Sequence, residues 1–311
     1  MTRILPDGVP PDARDALAIA AEAALAGGRA ALRFYESDGL RIDEKRPGDP
    51  VTEADHASND AILAVLARRS AEVRVLSEES DPPPDAGPVA RAGGMWVVDP
   101  LDGTKEFIAR NGEFSVMVGL CRDGRAELGA VFQPGVDRLF LGVAGGGAWA
   151  VDDASAAGGP AGAGSARPLR VPADADGRLR FVQSRSHPDE RITALQRALG
   201  DVEVVRSGSV GIKCALIAAG RADLYVHPVK HLKEWDTCAP EAVLRGAGGR
   251  VTDCAGETLS YGKADPRQMG GIFAARAGVW VRALPAVREV AAPLFRGGAE
   301  GPAEGDARPG G

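Results

Sequence analysis

The stretch Met95-Trp96-Val97-Val98-Asp99-Pro100-Leu101-Asp102-Gly103-Thr104-Lys105-Glu106-Phe107 runs an apolar strand straight into two carboxylates separated by a proline and a leucine. The end of an apolar strand is a poor place for acids with only a structural task, because a buried unpaired carboxylate is costly. Two carboxylates three residues apart, followed by Gly103-Thr104 with backbone N–H groups to spare, suit hard divalent ions and a phosphate together. Metal-dependent phosphate chemistry is the expectation from which the rest of the chain is read.

Three distant segments supply what such a site lacks. Leu76-Ser77-Glu78-Glu79-Ser80 follows a short β-like run, Val73 to Val75, and puts acids at another strand end. Glu234-Trp235-Asp236-Thr237 precedes an alanine-rich helical stretch, so Asp236 sits where a helix N-terminus favours a carboxylate. Asp49-Pro50-Val51-Thr52-Glu53-Ala54-Asp55 lies just before the helical pattern of Ala57 to Arg69.

In this order the four segments resemble the lithium-sensitive, Mg-dependent inositol monophosphatase superfamily, over roughly Ala13 to Val290. Lys105-Glu106-Phe107 and Ser184-Arg185-Ser186-His187 look like its CysQ branch, the 3'(2'),5'-bisphosphate nucleotidases. The resemblance implies an α+β fold of the inositol monophosphatase (sugar phosphatase) type, a layered α-β-α-β sandwich in two subdomains. It implies that Glu78, Asp99, Asp102 and Asp236, with the Leu101 carbonyl, hold two or three Mg2+ ions. Asp55 and Thr104 match the pair that orients and deprotonates the attacking water, and the amides of Gly103 and Thr104 match the phosphate cradle. Lys105 and the loop Ser207-Gly208-Ser209, with Lys213 and His187, fall where the branch meets the rest of its substrate. The implied reaction removes the 3'-phosphate of adenosine 3',5'-bisphosphate, a by-product of sulfate assimilation. An inositol- or sugar-phosphate phosphatase on the same scaffold is the alternative. A non-catalytic phosphate-binding protein would be expected to lack Asp55, Glu78, Thr104 or Asp236, and all four are present.

The chemistry is consistent with that set. Phosphomonoester hydrolysis is so slow uncatalysed that a catalyst must supply up to about 28 kcal/mol, by positioning and charge neutralisation. Several Mg ions can do so, and oxygen-only ligation selects Mg over zinc. Four carboxylates are needed to hold such ions against their mutual repulsion.

At 311 residues, 44% hydrophobic and 26% charged, the chain has ample material for a large core, organised as two packed subdomains. No run of about 18 apolar residues occurs, so no membrane span is expected, and Pro6, Pro10 and Pro11 interrupt any secretory signal. Cys121, Cys214, Cys238 and Cys254 form no C-x-x-C pair and read as reduced, buried thiols. A net charge of −6 excludes a global basic field for a nucleic-acid polymer. A small phosphate ester remains compatible, because bound metals invert the sign of an acidic site. The cytoplasm is the expected compartment, with peripheral inner-membrane association and a homodimer both left open.

Apolar spacing predicts a helix over residues 12–35, with Gly27-Gly28 as a weak point, and a second over 56–69. Short β runs at 114–121, 126–132, 138–143 and 148–151, with turn signals at Asp123-Gly124 and Pro134-Gly135, read as an antiparallel meander covered by those helices. The N-terminal subdomain is expected at 12–152 and a mobile Gly/Ala-rich loop at 153–167. An α/β subdomain follows at 168–296 and a disordered tail at 297–311. Strands are expected at 180–184, 202–205, 222–226, 250–252 and 272–275, and helices at 189–199, 209–219, 236–247 and 280–293.

Blander readings accompany several residues. Glu79 is expected behind Glu78 rather than on a metal. Lys105 and Lys213 read equally as solvated surface cations, and Thr104 as a helix cap. His56, His187, His227 and His231 have no partners at ligand spacing, and Gly145-Gly146-Gly147 lacks the lysine of a P-loop and reads as a turn.

Overall fold

A computed structural model describes residues 5–35, 37, 41–46, 49–79, 94–157, 166–186 and 189–295. The first half runs α1 (Arg14–Tyr35), β1 (Ile42–Arg46), β2 (Asp49–Thr52), α2 (Glu53–Arg69), β3 (Arg74–Ser77), β4 (Met95–Asp102) and α3 (Thr104–Ile108). A meander of β5 (Ser115–Arg122), β6 (Arg125–Gln133), β7 (Arg138–Val143) and β8 (Gly147–Asp152) follows, then the single turn α4 (Ala154–Ala157) and β9 (Ala166–Leu169). The second half runs β10 (Leu179–Ser184), α5 (Glu190–Leu199), β11 (Val202–Ser207), α6 (Val210–Ala218) and β12 (Leu224–His227). It closes with α7 (Glu234–Gly246), β13 (Gly249–Thr252), β14 (Ile272–Arg276) and α8 (Ala277–Phe295).

Strands β3 to β9 pair in sequence order in one sheet, parallel only between β3 and β4, and a second sheet has the order β11-β10-β12-β14-β13. Alternation along the strands builds the layers. In the first sheet Trp96, Val98, Val118, Leu128 and Phe132 face α1 and α2, while Met95, Val97, Met117, Val131 and Phe140 face α6 and α7. In the second sheet Val182, Tyr225, Ile272 and Ala274 meet the same α6–α7 layer from the far side. Its other face, Phe181, Leu224 and Phe273, is covered by α5 and α8, which add an outer helical layer to the expected α-β-α-β stack. Both faces of the inner strands are buried, which is why β4 and β5 read as nearly continuous apolar runs, while the edge strands β9 and β11 are largely exposed.

A row of glycines seats the middle layer. Gly119, Gly129 and Gly142 are cross-strand neighbours on β5, β6 and β7. A Cβ at Gly129 would lie 2.6 Å from the Ala239 backbone of α7, and one at Gly142 would lie 2.3 Å from Val243 Cα. Helix α7 can approach the sheet only because these side chains are absent.

Two expectations change. Gly27 and Gly28 do not weaken α1: a Cβ there would meet Ser58 and Ile62 of α2 or Phe132 of β6, so they are points of close approach inside an unbroken helix. The expected mobile loop at 153–167 has ordered ends, α4 and β9, the latter extending the first sheet. Its residues 158–165, and the expected tail at 297–311, lie outside the described residues. The pairing of β1 with β2 had no signal in that charged, proline-containing segment. No described helix is long and apolar enough to cross a membrane.

Candidate active site

Helix α2 organises the acids of the first half. Thr52 caps its N-terminus, and Asp55 Oδ2 accepts from Thr52 N at 2.8 Å and Thr52 Oγ1 at 2.7 Å, a reciprocal capping arrangement. This fixes the carboxylate so that its other oxygen, Oδ1, receives the Thr104 hydroxyl at 3.2 Å. One turn on, Ser58 Oγ donates to the Pro100 carbonyl at 2.7 Å and Asn59 Oδ1 accepts from Ser77 Oγ at 2.6 Å. The same helix thus holds the strand ends that carry Glu78 and the Asp99–Asp102 pair.

Those ends are neighbours because β3 and β4 run parallel with Ser77 opposite Val98, and Glu78 N bonds the Val98 carbonyl at 3.2 Å. Pairing of β4 with β5 is irregular between Asp99 and Asp102, at the Pro100-Leu101 step. Asp99 is buried and accepts from Leu101 N at 3.1 Å. The Leu101 carbonyl lies 3.4 Å from Thr104 Oγ1. Gly103 enters α3 with φ +98°, a left-handed conformation that favours glycine.

The second half brings Asp236 and a cation. Asp236 is the third residue of α7 and accepts from Lys233 N at 2.6 Å. Burial, then the nearby Glu78 and Asp102 charges, push its pKa well above the ordinary carboxylate range. Asp102 is also raised, by burial, against the opposing pull of Lys213, Ser209 and the Gly211 amide. Its Oδ2 accepts from Ser209 Oγ at 2.5 Å and from Gly211 N at 3.0 Å, at the start of α6. Lys213 is 4% exposed, its Nζ 5.2 Å from the Tyr225 ring centroid, and burial lowers its pKa.

Buried acids that repel one another and favour protonation mark a site short of positive charge, and divalent cations fit it. The assembled donors are oxygens. The Cys121 and Cys214 thiols are pushed up to about 12 by burial, so they offer no thiolate. Among the described residues no three His, Cys, Asp or Glu side chains are already gathered around one point. Asp99, Asp102 and Asp236 each accept a backbone N–H on one oxygen, a bond that orients the carboxylate.

Strands β10, β11 and β12 are parallel and end at Ser184, Ser207 and His227, the end at which an open α/β sheet forms its ligand crevice, and the Ser209–Asp102 bond sets that end beside the acids. Ser207, Gly208 and Ser209 lie there, buried. The Ser209 hydroxyl caps α6, receiving Ile212 N at 3.1 Å, and is bonded to Asp102 and to Ser115. Lys213 is not a solvated surface cation, while Lys105 is exposed on α3. His187 lies outside the described residues. Glu79 is nearly buried, with Oε2 4.0 Å from His56 Nδ1.

Glu106 and Arg185, which in the sequence stand only as marks of the branch, and Glu113, which carries no signal there, join the two halves at these strand ends. Of the Lys105-Glu106 pair the glutamate is buried and the lysine exposed. A five-residue helix has too little periodicity to reveal which side faces inward.

The chain is similar to known proteins over most of its length. Residues 12–290 match the model of the inositol monophosphatase family. The 3'(2'),5'-bisphosphate nucleotidase CysQ of Salmonella typhimurium is 37% identical over 236 residues, 75% of this chain and 89% of that protein. An inositol-1-monophosphatase of Mesorhizobium japonicum is 32% identical over 78% of this chain and 88% of its own length. The crystal structure of CysQ from Bacteroides thetaiotaomicron superposes with a TM-score of 0.69 at 33% identity, covering 84% of this chain and 97% of that one.

Proposed function

The chain belongs to the inositol monophosphatase family, and from that premise we propose that it is a magnesium-dependent 3'(2'),5'-bisphosphate nucleotidase. In this reading it removes the 3'-phosphate of adenosine 3',5'-bisphosphate, leaving AMP and inorganic phosphate. The observation that carries the reading is the Thr104–Asp55 hydrogen bond beside the mutually repelling acids Glu78, Asp102 and Asp236. The CysQ similarity narrows the substrate.

Glu78, Asp99, Asp102, Asp236 and the Leu101 carbonyl would hold the ions. When bound, divalent ions neutralise phosphoryl and leaving-group charge and make water acidic enough to attack near neutral pH. Asp55 accepts the proton of the attacking water, with Thr104 Oγ1 as the group that orients it. The capping bonds from Thr52 to Asp55 Oδ2 hold the base in place while its Oδ1 works. The Gly103 and Thr104 amides cradle the phosphate. A new P–O bond forms from water as the bond to O3' breaks, and the departing oxygen takes a proton from solvent. The parallel strand ends at Ser184, Ser207 and His227 receive the nucleoside.

Several divalent ions held by shared carboxylates would repel one another, so one would be held weakly, and Li+, similar to Mg2+ in size with half its charge, could replace it. Lithium inhibition is therefore part of the reading. The M. japonicum relative favours inositol 1-phosphate as the second reading. Phosphate release from adenosine 3',5'-bisphosphate, inositol 1-phosphate and fructose 1,6-bisphosphate decides between them. The bisphosphonucleotide should lead in kcat/KM by at least about tenfold, and a lead by inositol 1-phosphate would reverse the assignment.

A further inference from the structure

Two glutamates from the first half reach across the crevice to the loops that end β10 and β11, and neither belongs to the acids assigned to metal or proton transfer. Glu113, just before β5, accepts both prongs of the Arg185 guanidinium, Nε on Oε2 and Nη2 on Oε1, each at 2.7 Å. Its Oε2 also takes Gly208 N at 2.9 Å, and its main-chain carbonyl takes Ser209 N at 3.2 Å. Asn111 Oδ1 accepts from Glu113 N at 2.9 Å and fixes the approach of the chain. Glu106, nearly buried, accepts the Ser186 hydroxyl.

The packing leaves little slack. A Cβ at Gly208 would lie 2.3 Å from the Glu113 carbonyl oxygen, and one at Gly103 would lie 3.2 Å from the same atom. One backbone carbonyl therefore borders the phosphate cradle on one side and the Ser207–Ser209 loop on the other. The Arg185 and Glu113 side chains are 43% and 23% exposed, so their attraction is screened and contributes little to overall stability. A bidentate guanidinium–carboxylate pair nevertheless fixes an angle and a distance that a lysine cannot. The Gly208 amide is directed at Glu113, so what this loop brings to a ligand is chiefly its placement.

We propose that Glu113 and Arg185 form a positioning latch. The latch sets the separation between the cradle for the reacting phosphate and the crevice for the rest of the substrate, and so favours a nucleoside bisphosphate that spans both over a short phosphomonoester. This inference rests on the nucleotidase reading above.

The test compares Glu113→Gln, Arg185→Gln, the double variant and Arg185→Lys on adenosine 3',5'-bisphosphate and on p-nitrophenyl phosphate. Each single change should raise KM for the bisphosphate about tenfold or more, with kcat much less affected, and the double variant should be no worse than about twice the weaker single. The shift on p-nitrophenyl phosphate should be at least about fivefold smaller, and Arg185→Lys should not rescue, because it keeps the charge and loses the fork. Equal losses on both esters, additive losses in the double variant, or an unchanged KM would overturn the latch. Should Glu113→Gln fail to fold, Arg185→Gln, on a half-exposed side chain, still reads the selectivity. A wild-type enzyme with no preference for the bisphosphate defeats the nucleotidase reading instead. The latch is then judged by whether the pair is non-additive on the bulkiest ester hydrolysed.

Discussion

Thr104 stands between two acceptors, Asp55 Oδ1 at 3.2 Å and the Leu101 carbonyl at 3.4 Å, and its one proton serves only one of them well. With the Leu101 carbonyl given to a cation, as proposed, the hydroxyl would donate to Asp55 and present a lone pair to water. Thr104→Ala should therefore lower kcat by about 10²-fold or more while KM moves far less, and Thr104→Ser should recover most of the loss. An effect confined to KM would make Thr104 a binding residue. The acids carry a pH signature. Asp102 and Asp236 have raised pKa values in the folded, metal-free protein, chiefly through burial. Their contribution to stability is thus fully present below the ordinary carboxylate range and is lost as pH rises through the raised folded values. A divalent cation removes that penalty, so Mg2+ should raise Tm more on the alkaline side of the raised values than on the acid side, and its binding should release protons in calorimetry on the acid side. A Tm gain independent of pH would contradict the assignment. Carboxylates at strand ends were legible in the sequence because position along a strand is a local property. The burial of Lys213 against Asp102 was not, because it depends on where α6 lands.

Placing a helix against a sheet is a non-local event, and α7 shows what the sequence conceals about it. The helix itself, expected over 236–247 and found to begin two residues earlier at Glu234, the strands of the meander and the Asp123-Gly124 turn follow from local pattern. The row Gly119, Gly129 and Gly142 looks in sequence like three separate weak points in three strands. Only the register puts them side by side beneath Ala239 and Val243. Gly27 and Gly28 carry the same lesson, since close approach and flexibility leave the same mark on a single sequence. Gly129→Ala would force its Cβ to 2.6 Å from the Ala239 backbone, where no flexible side-chain end can yield. Overpacking of this kind costs about 1–3 kcal/mol, and it pushes α7, with Asp236 near its start, away from the acids of the first sheet. Thermal unfolding should show a Tm lower by several degrees, and the half-saturating Mg2+ concentration should rise. A variant with wild-type Tm and Mg2+ dependence would mean that α7 is not seated by this row.

The whole molecule is joined through the layer that these helices form. One buried cluster runs from Leu76, Met117 and Phe140 of the first sheet, through Cys214, Ile217, Ala239 and Ala242 of α6 and α7, to Val182, Tyr225 and Ala274 of the second. Composition had suggested a boundary between subdomains at the Gly/Ala-rich stretch, since such a segment offers little to a core. Here the middle helices give one face to each sheet, so neither sheet can leave without exposing apolar surface on the other. The site repeats the arrangement, with Asp55, Glu78, Asp99 and Asp102 from the first half and Asp236 and Lys213 from the second. The two halves should therefore unfold in one step. Trp96 and Trp149 report on the first sheet and Trp280 on the outer layer of the second, so single-tryptophan variants followed by fluorescence, together with far-UV circular dichroism, should give coincident urea midpoints and a common slope. Loss of Mg2+-dependent phosphate release should track the same transition. Two separated transitions, with Trp280 leaving before Trp96, would show that the second sheet folds as a unit of its own and that the shared layer belongs energetically to the first.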